Sequence, residues 1–261
     1  MIMKGVRTVV YGLLILLCQL PLAQAATQIN LAEAINIAGR QRMLSQRIVK
    51  SYLQMGQDVR YRVAKGHLKG SIILFEQQLN MLKGFSQDPE TQRGLALVEQ
   101  LWKPVKAIAS GPVQREKAEE LRANAEQLLA AAHQVVLILT DQSGTQQGHL
   151  VNIAGRQRML SQRMGNLYML MSWKFDDELY RQDYQAATEQ FDNALQELSY
   201  ANENTPEIGR ILDQVRQNWG LYKLSNRMGE GEFVPGLAVR MLDKILLQMN
   251  EVTGLYAALP R

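Results

Sequence analysis

The chain has 261 residues, of which 46% are hydrophobic and 21% charged, with a formal net charge of +4, one cysteine and three histidines. That length provides one or two domains and enough chain to bury a proper core, while the lone Cys18 excludes a disulfide framework and a Cys-rich zinc site. His67, His133 and His149 lie far apart without HxxxH or HxH spacing, so no histidine-based metal or haem site and no cofactor is expected, and a charge of +4 does not by itself mark a nucleic-acid binder.

Residues 1–25 read as a signal peptide: Lys4 and Arg7 supply a positive start, Val9 to Leu20 an apolar run, and Ala23-Gln24-Ala25 a small-residue cleavage site. The run is short for a membrane-spanning helix. A lipoprotein signal is disfavoured because the bulky Leu17 precedes Cys18, which sits inside the apolar run. Cleavage after Ala25 is expected to release a soluble periplasmic protein with a net charge near +2, remote from nucleic acid.

Beyond the leader, Ala, Leu, Gln, Glu, Met, Lys and Arg dominate, and neither strand-like alternation nor Asn-Gly hairpin signals occur. The pattern predicts helices near 30–56, 58–83, 89–109 and 114–141, broken at Gly84 to Pro89 and at Ser110-Gly111-Pro112. A second set is predicted near 148–173, 177–200, 206–224 and 235–258, broken at Asn202 to Pro206 and Gly229 to Pro235. The two sets are copies of one another. Asn36 to Arg47 and Asn152 to Arg163 both read NIAGRQRMLSQR, at an offset of 116. At the same offset Tyr52 matches Tyr168, Met55 matches Met171, and Phe75, Leu79 and Leu82 match Phe191, Leu195 and Leu198. After a one-residue slip, Trp102 and Lys106 match Trp219 and Lys223. The expected fold is all-α: two tandem antiparallel four-helix-bundle modules, 26–141 and 142–261, with Gly144 and Gly148 at the joint.

At 100° per residue, Ile37, Leu44, Ile48 and Met55 form one stripe of the first motif helix, as do Ile153, Leu160, Met164 and Met171 in the second. This is the face a bundle helix turns to its own core. A second stripe comprises Leu31, Ile35, Ala38, Val49 and Leu53, with Arg42 in its middle; its counterpart comprises Val151, Ala154, Gly165 and Met169, centred on Arg158. Asn36, Arg40, Arg47 and Lys50 are expected on a solvated face. Two apolar stripes mean two packing partners. Ala38, Gly39, Ser45 and Gln46 around Arg42 leave room beside the guanidinium, and no acid occurs between Glu33 and Asp58 or between Asp141 and Asp176. An arginine on an apolar stripe without a carboxylate is costly to bury, and a bound planar oxyanion would relieve that cost. Pairing with an acid from another helix, or a shared packing joint, is the competing reading of the same residues.

The motif resembles the signature of PilJ-type sensor modules, the extracytoplasmic domains of type IV pilus-type chemotaxis transducers. It is also similar to the P-box of NarX-like nitrate/nitrite sensors, and both copies satisfy every fixed position of N-x-A-G-x-x-R-M-x-S-x-R. The resemblance implies a four-helix bundle in which nitrate or nitrite binds between two first helices. Arg42 and Arg158 would be the anion-contacting arginines, with Gly39, Ser45, Gly155 and Ser161 shaping the backbone; Ala38 and Ala154 complete the expected ligand-binding set. Family members normally carry membrane spans and a kinase or methyl-accepting domain. This chain ends at Arg261 without them, so the expectation is an exported oxyanion sensor read by a membrane-bound sensor kinase or chemotaxis transducer. Its site would lie in an intrachain pseudo-dimer or in a homodimer. The alternative is a ligand-independent helical scaffold for a chemotaxis or pilus system. No nucleophile–base pair, metal cluster or phosphate loop points to an enzyme.

Overall fold

The computed structural model describes residues 29–175, 178–227 and 233–260; the expected signal peptide and its cleavage site lie outside them. The described residues form eight α-helices: α1 (Leu31–Gly56), α2 (Tyr61–Phe85), α3 (Pro89–Ala109), α4 (Ala118–Ser143), α5 (Gln146–Ser172), α6 (Glu178–Ser199), α7 (Pro206–Arg227) and α8 (Pro235–Ala257). One 3-10 turn, Arg115–Lys117, leads into α4, and no strand is present among the described residues. None of these helices is long and apolar enough to cross a membrane.

Helix ends fall where the local chemistry puts them. The side chains of Asn30, Asp88 and Thr145 accept from the backbone N–H of Glu33 (2.9 Å), Thr91 (2.8 Å) and Gly148 (3.1 Å), capping α1, α3 and α5. Pro89, Pro206 and Pro235 each open a helix, where the missing N–H costs nothing. The joint between the copies is a true break: Gly144 ends α4 in the left-handed region at φ 57°, and Thr145 caps α5 directly after it.

In the first copy α1 packs against α2 and α4, and α3 packs against α4; in the second, α5 packs against α6 and α8, and α7 against α8. The repeat is visible in side chains. Phe75 stacks on Trp102 with centroids 4.2 Å apart, and Phe191 packs on Trp219 at 4.4 Å with the rings tilted by 39°. The Trp102 indole and Lys106 donate to Glu76, while Trp219 and Lys223 donate to Asp192. The hydroxyls of Tyr52 and Tyr168 accept from the backbone N–H of Gln114 and Val234, both at 2.8 Å, tying the chain before each fourth helix to the end of the motif helix.

The most extensive packing in the molecule joins the copies, between α1 and α5. The two helices run parallel: Ile35 lies beside Gly148, Gly39 faces Gly155, and Gly56 lies under Trp173. Each therefore serves two partners, its own bundle and the other copy. Ile35, Ile37, Ala38, Leu44, Ile48, Val49 and Leu53 are all buried, covering both stripes of α1. The expected solvated face of α1 shrinks accordingly. Asn36 and Lys50 are buried, and Arg40 and Arg47 are partly buried, because α8 as well as α5 packs across this side. Nor do all the acids lie on solvated faces: the side chain of Asp243 on α8 is only 15% exposed and pairs with Lys50.

Candidate functional site

The identical segments place Arg42 and Arg158 one turn beyond a close approach of α1 and α5. At that point a glycine stands on each helix. A Cβ on Gly39 would meet Nη2 of both Arg158 and Arg42 at 3.3 Å, and a Cβ on Gly155 would meet the same two atoms at 3.2 and 3.4 Å. The glycines thus do two things: they let the backbones approach, and they leave space in which two guanidinium ends converge.

Both arginines are essentially inaccessible, at 1% and 0% exposure. Their contacts obey a pseudo-two-fold. Nη2 of Arg42 donates to the carbonyl of Asn152 at 3.1 Å, and Nη2 of Arg158 donates to the carbonyl of Asn36 at 3.1 Å. Nη1 of Arg42 lies 3.1 Å from Nδ1 of His133 on α4, and Nη1 of Arg158 donates to Oδ1 of Asn250 on α8 at 3.0 Å. Each Nε is buried without a hydrogen-bond partner. Every acceptor is neutral, and no carboxylate forms an ion pair with either arginine among the described residues.

The electrostatics follow from this. Burial, with Arg156 adding repulsion, pushes Arg42 down to about 9. Burial and repulsion from Arg40 and Arg42 push Arg158 well below the usual arginine range, with Glu33 opposing. Burial, then Arg42 and Arg156, hold the His133 ring down to about 4, so at neutral pH it is uncharged. Because arginine only donates, the neutral ring accepts on Nδ1 and carries its proton on Nε2. A buried cation held only by neutral acceptors stands at a cost of several kcal/mol in a low-dielectric interior. Two convergent guanidinium groups, each with an unused Nε–H, are suited to an anion with trigonally arranged oxygens.

The remaining residues singled out from the sequence are buried around the pair, in other roles. The hydroxyls of Ser45 and Ser161 donate back to the carbonyls of Arg42 and Arg158, both at 2.8 Å, and fix the helix turn that carries each arginine. Ala38 and Ala154 are buried; Ala38 faces Leu82, Leu95, Val98 and Val135 in its own bundle. Gln41 and Gln157 donate to the carbonyls of Phe75 and Phe191, at 2.9 and 2.8 Å, pinning each motif helix to the second helix of its bundle. Sequence reasoning missed four partners of the arginines. Asn36 and Asn152 were within the identical motif, but contribute carbonyls, which no residue type announces. His133 and Asn250 occupy matching positions of α4 and α8, offset by 117, yet differ in type and carried no signal.

Below this layer the symmetry breaks. Lys50 and Asn166 are register equivalents, but Lys50 crosses Gly165 to reach Asp243, whereas Asn166 donates to Oε1 of Gln46 at 2.6 Å.

Residues 24–133 and again 139–225 match the family model for the N-terminal region of type IV pili methyl-accepting chemotaxis transducers, PilJ. No curated protein and no solved structure matches the chain.

Proposed function

The chain belongs to the PilJ family of type IV pili methyl-accepting chemotaxis transducer N-terminal domains, and from that premise we propose that it is a sensor of a small inorganic oxyanion, nitrate or nitrite being the candidates. The family is one of signalling domains, and the chain is a sensing-type helical domain of the chemotaxis and pilus transducer kind. In this reading residues 1–25 export it to the periplasm, 26–141 and 142–261 are its two modules, and Arg42 and Arg158 grip one anion inside a single chain. A membrane-bound transducer or sensor kinase reads the result.

One observation carries the reading: two fully buried arginines converge on one another, and no acid among the described residues forms an ion pair with either. Without ligand the two cations repel across the α1–α5 packing; an anion between them turns repulsion into attraction. A ligand that binds one arrangement of two helices 100-fold better than the other shifts their equilibrium by roughly 2.7 kcal/mol, enough to switch a balanced two-state element. Because α1 and α5 run parallel, a change in their separation at the arginines reaches the ends of both helices in the same direction.

A second reading has its own support. Each guanidinium already makes two contacts to neutral acceptors, so the pair also suits a ligand-independent joint that presents the bundle to a partner. Calorimetry separates the two. The chain lacking residues 1–25 is titrated with nitrate, nitrite and chloride, and so is an Arg42→Ala/Arg158→Ala variant. Heat from an oxyanion but not from chloride, abolished in the double variant, is the expected result. Absence of any oxyanion heat, or its persistence in the variant, leaves the joint reading standing.

A further inference from the structure

The two copies act as templates for one another, and one of them lacks a carboxylate. In the second copy Arg163 on α5 pairs with Glu126 on α4 at 3.2 Å and with Asp183 on α6 at 3.5 Å; Arg122 pairs with the same Asp183. Two cations meet two acids. In the first copy Arg47 holds the register of Arg163, Asp243 that of Glu126, and His67 that of Asp183. There Asp243, the one carboxylate of this cluster among the described residues, is held by Lys50, with Nη1 of Arg60 3.8 Å away. Arg47 makes no ion pair among the described residues and feels Asp243 only at longer range; its Nε, like those of Arg163 and Arg122, is buried without a hydrogen-bond partner, as is Nδ1 of His67. Among the described residues three cations thus surround one acid, where the counterpart is balanced.

We propose that this end of the first copy is a second anion site, for a small free carboxylate, formed by Arg47, Arg60 and His67 beside the Lys50–Asp243 ion pair. The bound carboxylate stands where Asp183 stands in the other copy, completing the pairing that Arg163 obtains within the chain. Arg47 and Arg60 supply charge and N–H donors, and His67 supplies a third donor from α2. The cluster is open enough to be reached: the Arg60 side chain is 31% exposed, and His67 is partly exposed. The uncompensated charge is felt at His67, which burial, Arg47, Lys50 and Arg60 hold down to about 4 against the opposing pull of Asp243. The site is separate from the Arg42–Arg158 pair and does not depend on what that pair binds.

The test is made on the chain lacking residues 1–25, with acetate as probe and chloride at equal ionic strength as control, by thermal unfolding and by proton NMR titration of His67. Acetate is expected to raise the Tm and to move the His67 pKa upward, neither of which chloride does. Arg60→Gln, at the half-buried turn before α2, is expected to weaken the acetate response at least tenfold. His67→Asp restores the arrangement of the second copy, and is expected to raise the Tm without acetate and to remove the acetate response. Arg47→Gln is expected to abolish the response; if it does not fold, Arg60→Gln and His67→Asp carry the test. Equal responses to acetate and chloride, or an acetate response unchanged in Arg60→Gln and His67→Asp, overturn the proposal. Nitrate calorimetry on Arg60→Gln keeps the two sites distinct, since that variant retains the whole Arg42–Arg158 pair.

Discussion

Arg42 and Arg158 are held by main-chain carbonyls, a neutral histidine and an asparagine amide, a set that keeps them in position without neutralising them. Replacing a buried uncompensated cation by an apolar side chain of similar length removes a desolvation cost. Arg42→Met is therefore expected to be as stable as the parent in urea unfolding, or more stable by about 1–2 kcal/mol, while losing oxyanion-dependent stabilisation. A large loss of stability without ligand would mean that the arginine is there to hold the fold. Gly39→Ala runs the other way. Alanine gains up to about 1 kcal/mol of helix propensity, but its Cβ would press at 3.3 Å on two guanidinium ends that are both tied to carbonyls and cannot retreat. A net destabilisation of about 1 kcal/mol is expected. The histidines set the acid side of the stability profile. His67 and His133 are held down to about 4 in the fold, against about 6.5 in an unfolded chain. Between those values the unfolded chain binds more protons, so stability falls as pH drops from 6.5 to 4, by on the order of 1 kcal/mol per histidine after solvent screening. Unfolding followed across that window should flatten in His133→Asn, which copies Asn250. Asp243, held below the usual carboxylate range by Lys50 against its own burial, adds stability that is lost only at still lower pH.

At the scale of helices, the contact of α1 with α5 is made by glycines on both. Gly39 faces Gly155, Gly148 admits Ile35, Gly165 admits the stem of Lys50, and Gly56 admits the ring of Trp173. The last is the tightest, since a Cβ on Gly56 would fall 2.3 Å from the indole. Gly56→Ala must displace a ring that itself packs on Phe175 and under Arg115, and overpacking of this kind costs about 1–3 kcal/mol. It should lower the unfolding midpoint more than Gly39→Ala, and chemical denaturation of the two variants compares them directly. Some helix limits were legible from the sequence because prolines act locally: Pro89, Pro206 and Pro235 open α3, α7 and α8 as expected. The starts expected at 58 and 114 fall instead at Tyr61 and Ala118, because Asp58 and Arg60 take left-handed backbone and residues Arg115–Lys117 form a 3-10 turn. The burial of Asn36 and Lys50 was not legible, because it depends on α5 and, for Lys50, on α8 packing against α1, contacts between residues more than 100 positions apart.

In the molecule as a whole, the face that a single copy would offer to a second chain is used internally, α1 against α5. The chain without residues 1–25 is accordingly expected to be a monomer in sedimentation with or without nitrate, and to bind one oxyanion per chain. One oxyanion per two chains, with nitrate-induced dimerisation, would assign the arginines to an interface between chains. The pseudo-two-fold is close at the arginines and departs one layer further on. There Lys50 and Asp243 in one half answer to Asn166 and Glu126 in the other, and His67 answers to Asp183. Duplication within one chain allows this divergence, which a homodimer of identical subunits excludes.

Composition, helical periodicity and the twelve-residue repeat determined, by themselves, the helical class, the eight helices and the pair of arginines on a second apolar stripe. These properties are written within single turns or in direct self-similarity. Only the tertiary structure decided which surfaces those stripes cover, that α1 and α5 run parallel with glycines in contact, and that Arg42 and Arg158 converge with neutral partners alone. It also decided that Arg47, among the described residues, makes no ion pair of the kind Arg163 makes with Glu126 and Asp183. The reason is physical: a side chain's partners are set by how helices distant in sequence cross, and a residue's own type says what it can bond to but not what is brought within reach.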